Sequence, residues 1–158
     1  MKQILLVDDD ERIRETVTGF FESSDVQLMS VANGSDALAV MASGRIDLII
    51  TDLFMATLNG IELIGRIRKI DPALPVVLIT GGAENFPFGS SNLKSLTEIA
   101  EVLGACHILY KPFRRAELLV LINSILDQQV PAPTYPASTV ETGASGDTPR
   151  SLPPKKAS

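Results

Sequence analysis

A hydroxyl, an ammonium and several carboxylates stand at the ends of apolar runs in this chain. Asp8 and Asp9 follow Ile4-Leu5-Leu6-Val7, and Asp52 follows Leu48-Ile49-Ile50-Thr51. Thr80 closes Val76-Val77-Leu78-Ile79, and Lys111 follows a short run ending at Tyr110. Taken singly, each has an ordinary reading. Asp52 could cap a following helix, Asp8 to Asp10 could be helix-start acids, Thr80 a turn residue and Lys111 a surface lysine. If the runs are neighbouring strands, the five residues meet at one edge, and the ordinary readings do not explain that. Clustered carboxylates repel one another and raise their own pKa values. A divalent cation resolves the conflict, and hard oxygen ligands with water left in the shell favour Mg²⁺. A hydroxyl and an ammonium beside that cation make a place for a tetrahedral anion. The chemistry that fits is phosphoryl transfer, with Asp52 as a nucleophile able to form an acyl phosphate.

The elements needed to bring these residues together are legible in order. Leu48 to Ile50 is a continuous β-branched and apolar run, the pattern of a strand buried on both faces. Ile4 to Val7, Val26 to Val31, Val76 to Ile79 and Cys106 to Tyr110 read as four more strands. Between them lie helical spacings. Ile13, Val17, Phe20 and Phe21 mark the first, and Ala37, Leu38, Val40 and Met41 the second. Ile61, Leu63, Ile64, Ile67 and Ile70 mark the third, following an Asn59-Gly60 turn signal. Leu93, Leu96, Ile99, Ala100 and Leu103 mark the fourth, with Ser95 and Glu98 spaced as a capping box. Leu118, Leu119, Ile122, Ile125 and Leu126 mark the fifth, closing near Gln129. Strict alternation implies βαβ units and right-handed crossovers. The expected fold is α/β, a flavodoxin-like, doubly wound five-stranded parallel sheet of order 2-1-3-4-5 with five helices in three layers. Its sites should lie at the carboxyl ends of the strands.

Composition narrows the functional classes. The chain has 158 residues, enough for one domain with a real core. Residues 1–129 read as that domain, and 130–158, rich in Pro, Ala, Ser and Thr, as a disordered tail. One Cys and one His argue against a Cys/His metal site and allow no internal disulfide. His107 reads as a strand residue. A net charge of −5 argues against non-specific nucleic-acid binding. No apolar run approaches the roughly 18 residues of a membrane span. The N-terminus is too short in apolar residues and too acidic for a signal peptide. A cytoplasmic protein is expected.

These segments resemble the receiver domain of two-component response regulators, over residues 2 to about 128. The likeness rests on Ile4-Leu5-Leu6-Val7-Asp8-Asp9-Asp10 and on Asp47-Leu48-Ile49-Ile50-Thr51-Asp52 with Met55 and Asn59-Gly60 after it. Leu78-Ile79-Thr80-Gly81 and Gly104-Ala105 leading to Lys111-Pro112-Phe113 complete it. The resemblance implies that Asp52 accepts a phosphoryl group from a phosphohistidine on a sensor histidine kinase or histidine phosphotransfer protein. It implies that Asp9 holds Mg²⁺ directly, Asp8 holds it through water, and the Phe54 backbone carbonyl completes the protein ligands with Asp52. Thr80 and Lys111 would contact phosphoryl oxygens, and the Lys111-Pro112 peptide would be cis. The protein would then catalyse only its own phosphorylation and dephosphorylation, so it is not an enzyme in the usual sense.

The chain also departs from that family. Ala56 stands where a proline is usual. Ile108 stands where an aromatic switch residue is usual, and Tyr110, on the same side by strand alternation, is the substitute expected to work with Thr80. The stretch from Gly81 to Asn92 is longer than typical and carries Phe86 and Phe88, which could serve a lid or partner contact or pack the loop down. Phe54 and Gly82 flank the phosphorylation position, and an apolar Phe54 is expected to slow attack by water. A stand-alone receiver is expected, monomeric or dimerising on phosphorylation, binding an unknown downstream protein through its fourth helix, fifth strand and fifth helix. It is expected not to bind nucleic acid by itself or a membrane. The alternative is a phosphorylation-independent interaction module of the same fold. An aspartate-nucleophile phosphatase would want an acid at Phe54, and a nucleotide or flavin binder would want a glycine-rich loop after the first strand.

Overall fold

In the computed structural model, residues 1–81, 98, 100–104 and 107–127 are described. The strands are β1 (Lys2–Val7), β2 (Val26–Val31), β3 (Leu48–Asp52), β4 (Val76–Gly81) and β5 (His107–Lys111). The helices are α1 (Glu11–Phe21), α2 (Gly34–Ser43), α3 (Gly60–Ile70), α4 (described at residues 98 and 100–102) and α5 (Arg115–Asp127). The strands form one parallel sheet in the order β2-β1-β3-β4-β5. This is the flavodoxin-like fold expected from the alternation.

Side-chain alternation along each strand divides the core in two. Leu5, Val7, Ile49, Val76 and Leu78 point to the side of Ala37, Leu63, Ile64, Ile67 and Ala100. Ile4, Leu6, Leu48, Ile50, Val77 and Ile79 point to the side of Val17, Phe21, Leu118, Ile122 and Ile125. Hence α2, α3 and α4 cover one face, and α1 and α5 the other. The central strands are apolar over Ile4 to Val7, Leu48 to Ile50 and Val76 to Ile79, where both faces are covered. Edge strand β2 is only partly covered, with Gln27 and Ser30 exposed.

Side-chain caps set where three helices begin. Asp10 accepts from the Arg12 N–H at 2.9 Å, Asn33 from the Asp36 N–H at 2.8 Å, and Asn59 from the Glu62 N–H at 2.9 Å. The Asn59-Gly60 pair therefore starts α3 rather than forming a separate turn. One boundary needs correction: β5 (His107–Lys111) runs on past Tyr110, so the lysine is itself in the ladder, paired with Gly81, while Cys106, the expected start, lies outside the described residues. The Lys111-Pro112 peptide is cis, as the resemblance implied.

Arg68 ties the far end of α3 to the end of α4. Its guanidinium donates to the carbonyls of Leu74 (2.6 Å), Asp71 (3.3 Å) and Gly104. Gly104 has φ +99°, in the left-handed region, and a Cβ there would press on the Arg68 side chain. Gly82, Phe86, Phe88, Ser95 and the tail at 130–158 lie outside the described residues, as does most of the long segment after Gly81.

Candidate functional site

The strand order reverses between β1 and β3, and crevices at such points hold ligands in open α/β sheets. Asp8 follows β1, Asp52 ends β3, and the two strands pair in register through Val7 and Thr51. Ligand oxygens of Asp8, Asp9 and Asp52 all lie within 4.8 Å of one another. Asp8 and Asp52 are buried, while Asp9 faces solvent. Lys111 Nζ lies 3.2 Å from Asp8 Oδ2 and 3.5 Å from Asp52 Oδ1. To reach Asp52 from β5 the lysine stem crosses the end of β4, and its partner there in the ladder is Gly81. Gly81 itself puts no side chain beside the lysine.

Thr80 is buried, and its hydroxyl donates to the Gly81 carbonyl at 3.3 Å. Its ladder partner is Tyr110, so the two side chains emerge beside each other on one face. Tyr110 is 50% exposed. Ile108 pairs with Leu78, one pleat deeper, and packs partly buried on the α3-side core. Phe54 follows β3 by two residues and is 41% exposed at the rim.

Electrostatics single out Asp52. Burial pushes its carboxyl up to about 6; Lys111 pulls it down, while Asp8 and Asp9 push it up. One ammonium thus faces three carboxylates, two of them out of water. The donor set is all hard oxygen and carries excess negative charge, which fits Mg²⁺.

Several contributors act through contacts that the linear pattern does not show. The Asp52 carbonyl accepts from the Thr51 hydroxyl at 3.1 Å. Gly60 sits under the same carbonyl: a Cβ there would overlap the Asp52 oxygen and press on Leu53 Cα, both main-chain atoms of the strand end. Only glycine lets α3 start so close to the end of β3. Arg14 donates from Nη1 to the Asp8 carbonyl at 2.8 Å. Its one sequence hint is a basic residue in the opening turns of a helix that follows the acids, since helical side chains lean toward the N-terminus.

A family profile described as the response regulator receiver domain matches residues 4–123. The chain belongs to this family. It is 34% identical over 138 residues to the DNA-binding transcriptional regulator NtrC of Azospirillum brasilense, covering 87% of this chain and 27% of that one. It is 32% identical over 126 residues to the heme response regulator HssR of Staphylococcus haemolyticus, covering 80% and 52%. Among solved structures, the receiver domain of NtrX from Brucella abortus superposes with a TM-score of 0.69 at 28% identity, covering 79% of this chain and 98% of that one. This receiver therefore spans about a quarter to a half of the length of these curated relatives. Among its described residues, no helix is long and apolar enough to cross a membrane.

Proposed function

We propose that this receiver is a phosphoacceptor in a two-component phosphorelay, and that Asp52 takes its phosphoryl group from a phosphohistidine. A carboxylate oxygen of Asp52 attacks phosphorus, the P–N bond breaks with its electron pair going to the ring nitrogen, and the imidazole leaves after taking a proton from solvent. The product is an acyl phosphate. Asp8, Asp9 and Asp52, with the Phe54 carbonyl, would hold Mg²⁺, which when bound supplies positive charge beside the phosphoryl oxygens. Lys111, already between two carboxylates, pairs with a phosphoryl oxygen, and the Thr80 hydroxyl turns to another. The protein carries out this chemistry on itself and changes its contacts with a downstream protein; it has no separate substrate to turn over. The single observation that supports this reading best is Lys111 Nζ standing within 3.5 Å of both Asp8 and Asp52, with Asp9 beside them.

Intact mass after incubation with acetyl phosphate tests it. A phosphoryl adduct that needs Mg²⁺ and is missing in Asp52→Asn is the expected result. No adduct, even from a panel of phosphorylated histidine kinases, would move the reading to a phosphorylation-independent interaction module. The decay of the adduct tests Phe54, whose apolar ring two residues after Asp52 is expected to slow attack by water. Phe54→Ala should shorten the lifetime, and an unchanged or longer lifetime contradicts that role. The same phosphorylated and unphosphorylated samples test Tyr110 as the aromatic partner of Thr80. Tyr110→Ala should shrink the difference in downstream-partner affinity between the two states, and an undiminished difference removes Tyr110 from the switch.

A further inference from the structure

We propose that Arg14 is a positioning residue for the acidic cluster: its guanidinium braces the Asp8–Asp9 peptide so that the Asp9 carboxylate is held toward Asp52 before a cation arrives. The inference rests on reading these acids as a Mg²⁺ site.

The Asp8 side chain is fastened independently of Arg14. Its Oδ1 accepts from the Asp10 N–H at 2.9 Å, and its Oδ2 faces Lys111 at 3.2 Å. Asp9 is different. It is exposed, and no hydrogen bond or ion pair holds its carboxylate among the described residues. What directs it is the backbone. A peptide unit is a rigid plane, so fixing the Asp8 carbonyl oxygen also fixes the N–H and Cα of Asp9. The Asp8 N–H donates to the Val31 carbonyl at 3.2 Å and the Asp10 N–H to Asp8 Oδ1 at 2.9 Å, which holds the turn from its amide side. Arg14 Nη1 holds the carbonyl side at 2.8 Å. The base of the arm is held too: the Arg14 N–H donates to the Asp10 carbonyl at 3.1 Å, and the Asp10 side chain caps the helix. A planar guanidinium on a helix that begins two residues after Asp9 is a short, stiff brace.

The competing role for Arg14 is charge alone. A guanidinium at the Asp8 carbonyl adds positive charge near the acids, and on that account removing it would tighten cation binding. Loss of the brace has the opposite sign, because Asp9 must then be ordered at the moment of binding. The two roles are therefore separated by the direction of one measured change.

Calorimetric titration of the full chain with Mg²⁺, for wild type, Arg14→Gln and Arg14→Lys, reads that direction. We expect Arg14→Gln to weaken Mg²⁺ by about tenfold, the scale typical of outer-shell partners. Arg14→Lys, with the same charge but no planar fork, should fall between the two. Circular dichroism on the same samples establishes that each variant is folded, and if Arg14→Gln is not, Arg14→Lys alone decides. Unchanged or tighter binding by Arg14→Gln, or wild-type affinity in Arg14→Lys where it alone decides, overturns the positioning role. A wild-type chain that binds no Mg²⁺ overturns the metal-site reading and the inference with it, an outcome distinct from equal binding by all three.

Discussion

Asp52→Asn is expected to be more stable than the wild type in the metal-free protein at pH 7.5, by about 1–3 kcal/mol. Burial raises the Asp52 carboxyl from 3.8 to about 6, with Asp8 and Asp9 adding to the shift and Lys111 opposing it. The native state therefore holds a proton that the unfolded chain has already released between those two values. The stability linked to that proton is complete below pH 3.8 and is lost as pH rises through about 6. Above that, the wild type carries an ionised carboxylate in a site that disfavours it, and the amide does not. At pH 4 the two proteins should be close, and the gap should open between pH 4 and 7. Urea denaturation in EDTA at both pH values measures it. Saturating Mg²⁺ should reverse the order at pH 7.5, because a ligand that binds only the native state stabilises it and the variant lacks one ligand carboxylate. A wild type that is the more stable protein in EDTA at pH 7.5 would falsify the electrostatic account of this site.

Lys111→Met should slow phosphoryl uptake by roughly 10²- to 10³-fold, the usual effect of deleting one preorganised donor from a site of charge transfer. The ammonium lies against Asp8 and Asp52 already, so its position needs no reorganisation when a phosphoryl group arrives. Removing it also leaves Asp8, only 1% exposed, without its charged partner. That loss should cost roughly 1.5–3 kcal/mol at neutral pH in the absence of Mg²⁺. Asp52 loses the one group that pulls its carboxyl down, so its pKa should rise further. The stability cost should shrink in an Asp52→Asn background, since the two residues share one network and their effects are not additive. Uptake rates come from the growth of the phosphoryl adduct by mass, and the stabilities from urea midpoints. Uptake within threefold of wild type would remove Lys111 from the transfer step.

Local pattern was enough to set the layers and the edge at which chemistry is placed. Apolar period is a local property, so the β-branched run at Leu48 to Ile50 and the spacing of Leu63, Ile64 and Ile67 declare a doubly covered strand and a one-faced helix without reference to anything distant. Alternation then forces parallel order, and parallel order brings Asp8, Asp52, Thr80 and Lys111 to one edge. The tertiary structure alone decided which of two successive acids goes inside. Asp8 is buried against Lys111, and Asp9 is left in water. It also decided that Lys111 crosses β4 at Gly81, that Gly60 lies under the Asp52 carbonyl, and that Arg14 and Arg68 donate to main-chain oxygens. The register, not the motif, places Tyr110 beside Thr80 and Ile108 one pleat below. Each of these depends on how strands and helices far apart in the chain finally sit against one another: 103 residues separate Lys111 from Asp8, and 59 separate it from Asp52. A pattern of period two or 3.6 says which face of an element turns inward; only packing says which atom of another element it meets there.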